Sequence, residues 1–110
     1  LSRDPLVFLD DILDSAGRIA EYLAGIDRDA FAGQPLLQDA VLRNLEVIGE
    51  AAKQLPDDIK AKIEGVEWRK MSGMRDVLIH EYFGVDLDIV WDAATVKVPL
   101  LAEAVRAYRA

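Results

Sequence analysis

Between its prolines and glycines, every long stretch of this chain repeats apolar residues at steps of three and four. A β-strand alternates its faces every second residue, and no alternating stretch of useful length occurs. A three-to-four step belongs to helices, so the pattern predicts an all-α fold. Asp4 and Pro5 form a cap and first-turn pair. Phe8, Ile12, Ala16, Ile19 and Leu23 follow in period, which places a first helix from Pro5 to Ala24, ended by Gly25. Asp27 caps a short turn through Phe31, interrupted by Gly33 and Pro35. A second helix runs from Pro35 to Leu55 on the stripe Leu37, Val41, Leu45, Ile48, Ala52 and Leu55. Arg43, Asn44, Glu46 and Glu50 lie off that stripe, and Gly49 permits close approach of another helix.

Pro56 closes the second helix, and Asp57 and Asp58 open a short one through Ile63, ended by Gly65. A third long helix begins near Glu67, carries Trp68, Met71, Leu78, Ile79 and Tyr82, and ends at Gly84. Asp86 caps the next helix, which Pro99 either kinks or restarts, since a mid-helix proline loses a backbone bond. The expected architecture is a bundle of four or five helices with short loops, built as a single domain over residues 1–110.

Composition narrows the function. There is no cysteine and one histidine, so disulfides and thiolate metal sites are excluded and a zinc site is not expected. No apolar run approaches the length of a membrane span, and no signal peptide is expected ahead of Asp10, Asp11 and Asp14. A cytoplasmic protein is the expectation. The net charge of −7 opposes a broad electrostatic hold on nucleic acid. The stretch from Lys53 to Arg75 is mildly basic, while both ends of the chain are acidic.

The third long helix concentrates the polar chemistry in Arg75-Asp76-Val77-Leu78-Ile79-His80-Glu81-Tyr82. Asp76 and His80 are four apart, so on a helix the carboxylate can orient the imidazole and raise its pKa. Arg75 and His80 are five apart and point well away from each other on a straight helix. Either the helix end distorts near Gly84, or a second copy of the chain supplies the other half of a site. An imidazole takes and returns protons near neutral pH, and a guanidinium binds phosphate oxygens in pairs. With a carboxylate that orients the imidazole, the two suffice for metal-free RNA cleavage in which the ribose 2′-hydroxyl attacks the adjacent phosphate.

Arg75-x-x-x-x-His80-x-Tyr82 resembles the signature of HepT-like proteins, a branch of the HEPN superfamily. Further matches are the run from Arg43 to Ala52, Trp68, Gly73-Met74-Arg75, and Ile79 through Asp86. The resemblance covers essentially the whole chain. It implies an all-α homodimer with a composite cleft, acting as the metal-independent ribonuclease toxin of a toxin–antitoxin pair. The implied catalytic residues are Arg75 and His80, with Asp76 orienting His80; no cofactor is implied. The implied partner is a minimal nucleotidyltransferase antitoxin that transfers AMP to the tyrosine of the motif, here Tyr82. Two other readings stay open. One is a non-catalytic module that binds a nucleotide or the nucleotidyltransferase, and the other is a helical protein in which His80 is idle.

Overall fold

A computed structural model describes residues 4–80 and 86–110, with the side chains of Arg75 and of residues 77–80 left aside. Its elements are α1 (Pro5–Leu23), α2 (Arg28–Ala32), α3 (Pro35–Gln54), α4 (Asp57–Lys62), α5 (Trp68–His80), α6 (Leu87–Asp92), a π-helical turn (Ala93–Lys97) and α7 (Val98–Arg109). No strand occurs among the described residues, and the all-α expectation holds.

Local chemistry sets the helix boundaries. The Asp4 carboxylate accepts from the Leu6 amide at 3.0 Å, Asp27 from Ala30 at 2.8 Å, and Asp86 from Asp88 at 2.8 Å. Each satisfies an amide that has no partner within its helix. Gly25 and Gly65 have φ of 74° and 81°, a left-handed backbone that other residues adopt only with strain. α1 and α4 therefore end close to where the sequence places their ends. Gly73 does not interrupt α5, which runs unbroken through it.

The core follows from the helical stripes. Leu9, Ile12, Ala16 and Ile19 of α1 meet Val41, Leu45, Ile48 and Ala52 of α3, all essentially without solvent contact. α5 packs on the other side of α3, and α7 returns against α1. Asn44 departs from its expected place away from the core: it is only 6% exposed. Its side-chain amide donates to the Ala40 carbonyl at 2.9 Å, one turn back, which satisfies the buried group. Leu9 is fully buried beside the periodic positions expected for the first helix.

Of the two expectations for Pro99, the start of a new helix is the one met: α7 begins at Val98. The chain passes from α6 into α7 through the π turn, with Pro99 in the first turn of α7. Proline has no amide to donate and its ring crowds the carbonyl four residues back, here that of Thr95. The wide turn relieves this, with the Val98 amide reaching five residues back to Ala93. The Thr95 hydroxyl donates to the Trp91 carbonyl at 2.6 Å within the same stretch.

Two further links fix α6 relative to the rest. Arg28 of α2 pairs with Asp88 at 2.7 Å, and the Phe31 ring stacks obliquely on Trp91 with centroids 5.3 Å apart. Arg109 and Asp10 tie the end of α7 to α1. Among the described residues, no helix is long and apolar enough to cross a membrane.

Candidate functional site

α5 is the element that carries Arg75, Asp76 and His80, all on one uninterrupted helix. Its start is anchored firmly. The Trp68 indole donates to the Lys60 carbonyl at 3.2 Å, which docks α4 against the first turn. The Met71 amide bonds the Glu67 carbonyl at 3.1 Å, Met71 is buried, and Met74 packs on the core. α5 is thus held to the rest of the fold at its upstream half and by its packing on α3.

Arg75 and His80 are five positions apart on that helix, which is about 7.5 Å along the axis and about 140° around it. Asp76 is exposed. The side chains of Arg75 and His80 lie outside the described residues, and so does the expected pairing of Asp76 with His80. Tyr82 and the expected helix end at Gly84 also lie outside them.

Beside α5, the helix α3 supplies a second polar face. Arg43, Glu46, Glu50 and Gln54 recur at steps of three and four and line a cleft of about 310 Å³ with Phe8 and Asp11 of α1. The sequence reading set Arg43, Glu46 and Glu50 apart from the core stripe without assigning them a cleft. Their spacing was the available signal; the missing information was that α1 leaves a gap above them. The run from Arg43 to Ala52 otherwise serves packing: Asn44, Leu45, Ile48, Gly49, Ala51 and Ala52 are buried.

At the start of α5, Lys70 and Glu67 form an exposed pair at 2.8 Å. The hydrogen bond and charge of Lys70 hold the Glu67 carboxyl below its ordinary 4.5, with a smaller contribution from Lys97. The same pairing raises Lys70 above 10.5. Among the described residues, no cluster of three metal-ligating side chains occurs.

Comparison with known proteins adds an independent line. The family model described as "Ribonuclease HepT-like" matches residues 12–108. A Methanocaldococcus jannaschii protein named "Putative RNase" is 39% identical over 103 residues, covering 94% of each chain. A Thermococcus cleftensis protein named "Probable ribonuclease HepT" is 40% identical over 101 residues, covering 92% of each. A longer M. jannaschii protein named "Gamma-glutamylcyclotransferase and putative RNase" is 40% identical over 103 residues, and the chain spans 46% of its length. No solved structure matches.

Proposed function

The chain belongs to the HepT-like ribonuclease family, and from that premise we propose that it is a ribonuclease acting through Arg75 and His80. The observation that carries the proposal is the continuity of α5 through both positions, in a chain matched by the family from residue 12 to residue 108.

The chemistry requires no group beyond the side chains and RNA. The imidazole of His80 takes the proton from a ribose 2′-hydroxyl as that oxygen attacks the adjacent phosphorus. The bond from phosphorus to the 5′-oxygen breaks, and that oxygen receives a proton. The products are a 2′,3′-cyclic phosphate and a 5′-hydroxyl end. The guanidinium of Arg75 binds the non-bridging oxygens, whose charge grows in the transition state. Asp76 holds the imidazole in its productive tautomer.

Two side chains about 140° apart on one helix do not converge on a single phosphate. We therefore assign the active form to a homodimer, in which one protomer's Arg75 works beside its partner's imidazole in a shared cleft. The chain then acts as the toxin of a toxin–antitoxin pair, with a minimal nucleotidyltransferase as antitoxin. AMP placed on Tyr82, two residues from His80, adds bulk and negative charge where a substrate phosphate must enter. The rival reading, a non-catalytic adaptor for the nucleotidyltransferase, draws support from the net charge of −7.

The test is cleavage of single-stranded RNA by the unmodified wild-type protein, with Arg75→Ala and His80→Ala in parallel. Each substitution is expected to abolish cleavage while leaving the circular dichroism spectrum and the solution mass unchanged. Cleavage that persists in both variants overturns the assignment. A wild-type dimer that binds RNA without cutting it, at any salt concentration, favours the adaptor.

A further inference from the structure

A protein with a net charge of −7 that acts on RNA needs a local surface of opposite sign. Basic residues outnumber acids six to four from Lys53 through Arg75; elsewhere acids outnumber bases sixteen to seven. The fold sharpens this bias. The Trp68–Lys60 hydrogen bond brings the end of α4, with Lys62, to the start of α5, with Arg69 and Lys70. Lys97 arrives from the π turn, far away in sequence, and lines one shallow cleft with Lys70, Glu67 and Leu100. Its charge reaches Glu67 across that cleft.

The acids nearby offset only part of this charge. Glu67 pairs with Lys70, and Asp92 pairs with Lys97 at 3.7 Å. Glu64 is a third acid and Asp58, one turn before Lys62 on α4, a fourth, with Lys60 a further base on that helix. Lys62 and Arg69 are exposed and form no ion pair among the described residues. Exposed lysine pairs are weak enough for a phosphate to compete for the ammonium.

We infer that Lys62, Arg69, Lys70 and Lys97 form a phosphate-binding track for single-stranded RNA, separate from the cleavage centre and leading to it along α5. This rests on the ribonuclease reading for its destination, though not for its binding. Arg69 stands about 16 Å along the helix axis from His80. A stacked strand advances about 3.4 Å per nucleotide, so a tetranucleotide held at His80 stops short of Arg69. A strand of about 20 nucleotides covers both. The track therefore selects for length without reading sequence.

The test compares wild type with the quadruple variant Lys62→Gln, Arg69→Gln, Lys70→Gln, Lys97→Gln. Binding of a 2′-O-methyl 20-mer, which cannot be cut by its own 2′-oxygen, is followed by fluorescence anisotropy across salt concentrations. Four lost phosphate contacts at about 0.7 each reduce the slope of log affinity against log salt by about 2 to 3. Affinity at low salt falls at least tenfold. For cleavable RNA, kcat/KM falls at least tenfold on the 20-mer and stays unchanged on a tetranucleotide. A control variant, Arg18→Gln with Arg106→Gln, removes exposed charge elsewhere and leaves the slope unchanged.

An unchanged slope in the quadruple variant overturns the track, as does an equal loss in the control. Wild-type protein that binds the 20-mer with the expected slope yet cuts nothing sinks the ribonuclease reading and leaves the track standing. Wild-type protein that binds no RNA at low salt removes both.

Discussion

Replacing Phe31 with alanine tests whether the short helix α2 is part of the core or a decoration on it. Phe31 is 0% exposed although α2 has only five residues, and it is the one buried residue of that helix. Its ring lies 5.3 Å from that of Trp91 with the planes tilted by 43°. Burying a phenylalanine side chain contributes about 1.5 to 3 kcal/mol by transfer, and an oblique aromatic pair adds about 0.5 to 1.5 kcal/mol. Truncation also leaves a cavity, because α2 is pinned by Asp27 and by Arg28 and cannot collapse inward freely. The expected loss is about 3 to 5 kcal/mol, a large part of the total stability of a chain this size. At about 2.1 cal/mol/K per residue, a loss of 4 kcal/mol lowers the melting temperature by about 17 °C. Urea titration is the assay, read as a lower midpoint at unchanged slope. A loss below about 1 kcal/mol would refute the argument, since it would mean that Phe31 and Trp91 are wet in solution.

Asp27→Ala removes the cap of the same helix and should cost about 1 kcal/mol by the same titration, well short of the Phe31 effect. Thr95→Val deletes the hydroxyl bond to the Trp91 carbonyl while keeping the side-chain shape; a loss of about 1 kcal/mol is expected, measured by urea midpoint. The Glu67–Lys70 pair sets a pH dependence at both extremes. Its lowered carboxyl contributes stability above 4.5 that is lost as pH falls through the depressed folded value; its raised ammonium contributes below 10.5 and is lost as pH rises through the elevated one. Melting scans of wild type and Lys70→Gln should therefore differ by a constant offset between those limits and converge only outside them. Arg75→Ala and His80→Ala should abolish RNA cleavage at unchanged melting temperature.

Much of the fold was legible because the punctuation was chemical. Asp4-Pro5, Gly25, Asp27, Pro35, Pro56 and Gly65 fix chain direction locally, and the helix ends fall within three residues of them. What period alone could not supply was depth. Leu9 and Asn44 are buried because two neighbouring helices cover them, and that coverage depends on how α1, α3 and α5 cross. The outcome at Pro99 was equally non-local. A mid-helix proline permits a kink or a fresh start, and the fold takes the second, with Ala94 and Val98 buried at the junction. For the site, the sequence supplied the residue types and their spacing on one helix. It did not supply the cleft over α3, or the meeting of Lys97 with Lys70, because both join segments distant along the chain.

The spacing of the last buried residues also governs rotation. Val90, Ala94 and Val98 are buried at successive four-residue steps, and each such step overshoots a full α-helical turn by about 40°. The three-residue step to Leu101 turns back by about 60° and Val105 lies four further on, so on helical geometry all five of these buried residues keep within about 80° of one another. Removing a single residue between Val98 and Leu101 would therefore turn the rest of α7 by about 100° and carry Leu101 and Val105 off that side towards water.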